Sequence, residues 1–435
     1  VIIMYRSLME DLVKWRGSSK RKPLIIKGAR QVGKTWLMKE FGRLYFDNTV
    51  YINFDRERRF HDMLENSLNP ESLITAFSAV TGERILPDRT LIILDEIQEE
   101  PRALAALKYF CEEAPEYTIV SAGSLLGVAL HEGTSFPVGK VDFLELYPLN
   151  FYEYLMARGR ERLVEIIKKK DTSMLTSMKK LLIDELKSYY IVGGMPEAVT
   201  EYINEHDLNA VRDVQERLLD YYRQDFSKHA PVTLVPRLNQ VWESIPGQLS
   251  KENRKYIYGQ IAKGARAKDF ELAIQWLSDC GLIHLVHRVK KPGIPLKAYQ
   301  EMNAFKIYFN DVGLLAALGE LPLDSYIDEN RLFTEFKGAL TEQYVLQQLV
   351  AVNRIKPFYY SAENSKGEID FLFQTDNELL PVEVKANENL QAKSLKAFVA
   401  KYSVKKAVRI SMSDYRKQDW LVNLPLYCFM GLLGT

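Results

Sequence analysis

Residues Gly28, Ala29, Arg30, Gln31, Val32, Gly33, Lys34 and Thr35 fit the pattern G-x-x-x-x-G-K-[ST] in full, directly after the apolar run Leu24, Ile25, Ile26. Two glycines at that spacing let the backbone turn so that its N–H groups converge on phosphate oxygens. Lys34 offers a cation to the β- and γ-phosphates and Thr35 a hydroxyl to Mg2+; a helix beginning near Lys34 adds the positive end of its dipole. Trp36, Leu37 and Phe41 are placed to bury that helix against the sheet. Further along, RTLIILDEIQ is a continuous apolar strand ending in Asp95 and Glu96. Asp95 is read as holding Mg2+ through water, and Glu96 as polarising an attacking water. A third strand, YTIVSAGSLL, ends in Ser121 to Ser124. Ser124 there could sense a terminal phosphate, and a turn with capping serines explains the same residues equally well. The expected ligands are ATP or ADP and Mg2+.

A second constellation lies in GEIDFLFQTDNELLPVEVKA, residues 367 to 386. Asp370 falls in one strand, and Glu383 and Lys385 flank Val384 in the next. Two carboxylates on adjacent strands can share one hard cation through oxygen. Lys385, two residues from Glu383, shares its strand face and can orient or deprotonate a water. Glu342, on a preceding helix, is a candidate to complete the metal shell; Glu368 reads as a rim residue. The order helix, three-stranded meander, helix, strand over FTEFKGALTEQYVLQQLVAV, KPFYYSAE, IDFLFQT, LPVEVKA, LQAKSLKAFVAKY and KKAVRISM is that of the PD-(D/E)xK nuclease core. E-V-K also arises by chance in amphipathic strands, and a fold can outlive its chemistry.

These residues sit in a chain of 435 residues, enough for about two to four domains. Apolar residues make up 47% and charged residues 26%, a globular balance. With a net charge of +1, any basic surface is local. Cys111, Cys280 and Cys428 are scattered, with no C-x-x-C spacing, which argues against a disulfide framework or a cysteine zinc site. His284 and His287 have no acidic or cysteine neighbour and read as structural. No apolar run reaches the roughly 18 residues of a membrane span. The opening VIIMYRSLMEDLVKW is too acidic for a secretory leader. Both observations lead to the expectation of a cytoplasmic protein without a membrane partner.

Strand and helix alternate over residues 23 to 150, which predicts a parallel sheet with helices on both faces and its ligand at the carboxyl ends of the strands. Residues 151 to 230 show apolar positions at helical spacing. Beyond them, LNQVWESIP, RKYIYGQIA and ARAKDFELAIQWLSDCGLI read as three helices, and LIHLVHRVKKPGIPLKAYQ as two strands around a Lys-Lys-Pro-Gly turn. That order predicts a winged helix. Arg266 and Lys268 at the start of its third helix, with Arg288, Lys290 and Lys291 on the wing, are candidate DNA phosphate contacts. Protein docking is the rival use, since Asp269 and Glu271 dilute the charge.

Together KPLIIKGARQVGKTWLMKEFG, LIILDEIQ, SAGSLLG, LYPLNFYEYL, GGMPEAV, FKIYFNDVGLL and GEIDFLF with VEVK resemble the prokaryotic ATPases of the AAA_14 type with a C-terminal DUF4143 region. The resemblance implies a P-loop ATPase, a winged-helix segment and a restriction-endonuclease-like domain, and gives Lys34, Thr35, Asp95 and Glu96 the usual P-loop roles. It does not imply a substrate. Relatives often carry Gly-Arg before LYPLNF; here Gly139-Lys140 stands, and lysine lacks the planar fork of arginine. Arg56, Arg58 and Arg59 are other candidates for a transition-state cation.

The expected architecture is α/β: a P-loop ATPase domain over residues 1–165, a helical and winged-helix domain over 166–325, and a nuclease-like domain over 326–435. Three readings stay open. They are an ATP-gated enzyme that cuts DNA, a nucleotide-dependent switch or adaptor with an inert nuclease fold, and a ring-forming motor or chaperone-like ATPase.

Overall fold

The structure is a computed structural model and describes residues 4–57, 59–123, 137–251, 255–323, 336–353, 356–362, 367–375, 378–386 and 392–432. Ser124 and Arg58, both singled out in the sequence, lie outside the described residues. The chain divides into two units, Tyr5–Tyr147 with Asp279–Leu282, and Val1–Met4, Pro148–Ser278 with Ile283–Thr435.

In the first unit, β1 (Leu24–Lys27), β2 (Asn48–Asn53), β3 (Thr90–Asp95), β4 (Thr118–Ala122) and β5 (Asp142–Glu145) form one sheet in the order β2-β3-β4-β1-β5. Every pairing in it is parallel. Helices α1 (Leu8–Arg16), α2 (Lys34–Tyr45), α3 (Arg59–Asn66), α4 (Pro70–Thr81) and α5 (Pro101–Glu113) accompany the strands. The three inner strands are continuous apolar runs because both faces are covered: Leu24, Ile25, Ile26, Ile92, Ile93, Ile119 and Val120 are all buried. β4 lies between β1 and β3, so the chain leaving β1 and the chain leaving β3 emerge on either side of it, at a crevice where parallel sheets take ligands.

The second unit begins with helices: α6 (Phe151–Ala157), α7 (Glu161–Lys169), α8 (Thr172–Ser177), α9 (Lys179–Val192), α10 (Pro196–Glu205), α11 (Leu208–His229), α12 (Val235–Leu249) and α13 (Ala267–Asp279). The segment RKYIYGQIA, expected as a helix, forms only a 3-10 turn at Tyr258–Gln260; the backbone N–H of Tyr256 is drawn instead to the carbonyl of Phe305, 2.8 Å away. The hairpin strands are β6 (Ile283–Val289) and β7 (Gln300–Phe309), so the second strand starts where the sequence reading ended it. Helix α14 (Val312–Leu318) and helix α15 (Lys337–Asn353) follow. Then come β8 (Phe358–Ser361), β9 (Glu368–Gln374), β10 (Leu379–Val384), α16 (Lys393–Tyr402), β11 (Ala407–Ser411), β12 (Arg416–Lys417), β13 (Leu421–Pro425) and α17 (Phe429–Leu432).

Among the described residues, the eight strands of this unit join one mixed sheet, β12-β13-β11-β10-β9-β8-β6-β7. β8, β9 and β10 are antiparallel neighbours, and β11 runs parallel to β10. The hairpin is continuous with them, because β6 pairs in parallel with β8.

Two motifs that the chemistry did not absorb are structural. In GGMP, a Cβ on Gly194 would come within 2.1 Å of the Leu149 carbonyl oxygen. Its N–H donates to Asp311 Oδ2 at 2.6 Å. Asp311, from FNDVGLL, also caps α14 through the Leu314 N–H and accepts from Gln347. Gln343 and Gln348 on the same helix bond the backbones of Phe309 and Phe151. These carboxamides satisfy buried main-chain groups that no ladder reaches.

Candidate functional site

Three residues of the loop after β1 have positive φ: Gly28 at 142°, Gln31 at 68° and Gly33 at 95°. Gly28 is required twice over, since a Cβ there would stand 2.1 Å from the Leu146 carbonyl oxygen. Gly33 caps α2 and has no side chain of its own to occupy the first-turn N–H groups. Such an end is an anion site in waiting.

Lys34 is 8% exposed and folds back onto its own loop, donating to the carbonyls of Gly28 and Ala29 at 2.8 Å each. Burial pushes its ammonium down to about 8, opposed by the charges of Glu96 and Asp95. Thr35 Oγ1 donates to Asp95 Oδ2 at 2.7 Å. The two residues singled out for Mg2+ therefore meet across the crevice, and their hydroxyl and carboxylate oxygens are the hard donors that ion takes. Glu96 holds a left-handed backbone (φ 51°, ψ 45°), an uncommon state for a non-glycine residue. Gln98 Nε2 fixes its Oε2 at 2.7 Å.

Sequence reasoning missed Tyr51. Its hydroxyl donates to the same Asp95 Oδ2 at 2.9 Å, while Asn53 Nδ2 lies 3.3 Å from the phenol oxygen. Lys39 stands 3.8 Å over its ring. Desolvation by burial raises its pKa to about 12, so it remains a donor. Among the other predicted residues, Ala29 and Val32 are buried, Arg30 and Trp36 half-buried, and Gln31 exposed. Ser121 is fully buried, and its Oγ has no hydrogen-bond partner among the described residues. Lys140 is engaged by Glu112 at 2.8 Å, and Arg59 by Glu57 at 2.7 Å; Arg56 is exposed.

In the second unit, Glu342 is on α15, Asp370 on β9, Glu383 on β10 and Lys385 just past its end. Asp370 Oδ2 accepts the Val384 N–H at 2.7 Å, and Lys385 Nζ pairs with Glu383 Oε1 at 3.0 Å. Glu383 is 5% exposed; burial raises its carboxyl above the usual range, partly offset by Lys385 and further raised by Asp370.

Glu342, expected as a metal ligand, accepts from Tyr308 at 2.9 Å and lies 3.9 Å from Lys306 Nζ. Glu368, expected at the rim, is ion-paired to Lys306. Lys306 was not anticipated, although a lone lysine in AFKIYFN marks a buried cation in need of a partner. Arg409 was missed too: it neighbours Glu383 in register on β11 and donates to Asn423 Oδ1 at 2.9 Å.

Of the candidate nucleic-acid residues, Arg266, Lys268, Lys290 and Lys291 are exposed. Arg288 is committed elsewhere, donating to the Ser361 carbonyl at 2.9 Å and lying 3.5 Å from Glu301. His284 and His287 lie on β6, and burial pushes both down to about 4.

Residues 20–155 match the AAA domain family, residues 183–325 a domain of unknown function (DUF8612), and residues 337–429 a domain of unknown function (DUF4143). The chain thus carries an AAA-type P-loop domain and a DUF4143 domain. An uncharacterized protein of Methanocaldococcus jannaschii is 22% identical over 209 residues, which is 45% of this chain and 43% of that protein.

Among solved structures, a Walker-type ATPase of Pyrococcus abyssi is similar at 15% identity and TM-score 0.46, covering 73% of this chain and 96% of the other. The Aeropyrum pernix ORC1 protein, solved in complex with DNA, is similar at 16% identity and TM-score 0.27, with coverage of 74% and 92%. The RuvB Holliday junction branch migration motor of Thermotoga maritima follows at 14% identity and TM-score 0.30, with coverage of 66% and 87%. No helix among the described residues is long and apolar enough to cross a membrane.

Proposed function

We propose that this protein is a magnesium-dependent ATPase whose hydrolysis controls a DNA-binding, nuclease-like C-terminal half. The observation that carries the first part is the Thr35–Asp95 hydrogen bond, which joins the helix after the phosphate loop to the strand end bearing the second acid. ATP would be held by Gly28 to Trp36, with Ser124 as a candidate sensor of its terminal phosphate.

On binding, Lys34 exchanges two loop carbonyls for phosphate oxygens, so the anion replaces contacts the loop already makes. Thr35 and Asp95 are the residues that would hold Mg2+, which when bound draws electron density from the phosphates. Glu96, oriented by Gln98, faces the role of polarising the attacking water. Tyr51 keeps Asp95 in place when the Thr35 hydroxyl turns away.

For the C-terminal half, the element order α15-β8-β9-β10-α16-β11, with Asp370 and Glu383 on neighbouring strands and Lys385 just past the end of β10, supports a PD-(D/E)xK nuclease-like fold over 326–435. α12, the 3-10 turn, α13 and the β6–β7 hairpin support a winged helix within 166–325. Arg266, Lys268, Lys290 and Lys291 are its proposed phosphate contacts, with Arg288 as an internal brace. A second reading, a nucleotide-dependent switch with an inert nuclease fold, is favoured by the commitment of Glu383 to Lys385 and of Asp370 to the Val384 N–H.

Titration with a fluorescent adenine nucleotide tests the first part. Saturable binding that Lys34→Ala weakens, and turnover that Glu96→Gln lowers by about 10²–10³-fold, are expected from the loss of charge at the reacting centre. Plasmid cleavage with Mg2+ or Mn2+ separates the two C-terminal readings. Cutting abolished by Asp370→Ala supports the nuclease, and absence of cutting under either ion supports the switch.

A further inference from the structure

We infer that the ammonium of Lys306 is a built-in cation of the C-terminal acid cluster, which takes Glu342 and Glu368 as counterions so that neither serves as a ligand for a divalent ion. The inference rests on the nuclease-like reading above and narrows it, because Asp370 and Glu383 then remain as the pair open to a metal.

Lys306 is fully buried on β7, within a run of buried residues from Ala304 to Phe309. A charge at that depth persists only with anionic partners. Two are present, from separate elements: Glu342 Oε2 on α15 at 3.9 Å, and Glu368 Oε1 on β9 in a closer ion pair. Glu342 is itself 3% exposed and accepts the Tyr308 hydroxyl at 2.9 Å. The ring of Tyr359 lies 4.9 Å from the ammonium, a cation–π contact on a further side.

Two carboxylates converging on a buried point, with a polar hydroxyl beside them, is the arrangement that captures a hard cation. Here the point is filled by a side chain. Glu368 and Asp370 are two apart on one strand and share its face, so the ammonium neutralises half of the negative charge offered on that face of β9. Consistent with this division, no group of three or more His, Cys, Asp or Glu side chains is assembled for a metal among the described residues. The cation arrives on the hairpin strand β7 rather than on the strands that carry Asp370 and Glu383.

Terbium titration of the full chain, read by tyrosine-sensitised luminescence, tests the assignment. Differences between variants cancel any contribution from Thr35 and Asp95. In the otherwise unaltered protein, Glu342→Gln should leave ion affinity unchanged within about twofold, whereas Asp370→Ala should remove one ion. Lys306→Met should gain one ion, and Lys306→Met with Glu342→Gln should lose it again.

A Glu342→Gln protein that binds terbium tenfold more weakly overturns the assignment, as does a folded Lys306→Met protein that gains no ion. Should Lys306→Met fail to fold by circular dichroism, the Glu342→Gln arm decides alone. If Asp370→Ala changes neither ion binding nor cutting, the nuclease-like reading fails instead, and the Lys306 result still stands on its own arm.

Discussion

Under the proposed function, the buried P-loop lysine makes nucleotide binding a proton-linked event. In the nucleotide-free protein, Lys34 is pushed down to about 8, chiefly because burial disfavours its charge. A bound triphosphate surrounds the ammonium with anionic oxygen and returns it toward the ordinary value of 10.5. At pH 8 half of the free protein is then neutral at Lys34, so binding takes up about 0.5 proton, rising to about 0.9 at pH 9. The same linkage weakens affinity about tenfold between pH 7 and pH 9, roughly 1.4 kcal/mol.

The nucleotide's own phosphates do not interfere above pH 8, since phosphate second ionisations lie near 6. Isothermal calorimetry in buffers of different ionisation enthalpy measures the proton directly. A binding enthalpy independent of buffer at pH 8, with a Kd flat within about twofold from pH 7 to 9, would refute the reasoning.

The folding consequence has a fixed sign. The unfolded chain binds more protons than the folded one between pH 8 and 10.5, so nucleotide-free stability rises across that window. Its full burial penalty, about 3 kcal/mol, is present below pH 8.

Lys34→Met is therefore expected to stabilise the nucleotide-free protein at pH 7 by up to about 3 kcal/mol, less what its two carbonyl contacts contribute, while abolishing stabilisation by ATP; paired thermal melts check this. Tyr51→Phe removes a hydrogen bond to the Asp95 carboxylate worth about 1.5–3 kcal/mol, and should raise the Mg2+ concentration for half-maximal hydrolysis about tenfold or more. Gly28→Ala and Gly194→Ala each drive a Cβ to 2.1 Å from a carbonyl oxygen and should cost about 1–3 kcal/mol in urea denaturation, with the first also losing nucleotide. The Glu383 carboxyl is raised by burial, so the folded state binds more protons than the unfolded state from the ordinary value of 4.5 upward, and the penalty is felt at neutral pH. Glu383→Gln should accordingly gain stability at pH 7 and lose that gain as pH falls toward 4, followed by melting temperature.

Local rules made the geometry of the loop after β1 readable in advance. Glycines that permit positive φ, a lysine and a threonine at fixed offsets, and an apolar strand ending in acids are consequences of short stretches of chain, and the sheet order only had to bring Thr35 and Asp95 together. Tyr51 escaped notice because nothing within β2 distinguishes a tyrosine beside a strand end from one in a wall; its role exists only because β2 and β3 pair in register.

The same contrast runs through the C-terminal half. Asp370, Glu383 and Lys385 follow from strand alternation, which a sequence displays. Two further facts depend on partners far away in the chain: Lys306 meets Glu342 and Glu368, and β6 and β7 extend the sheet that holds β8 to β13. The sequence determined which residues can do chemistry, through backbone conformation and periodicity. Only the tertiary structure decided which charge neutralises which, because Coulomb interaction depends on distance in space and is blind to separation along the chain.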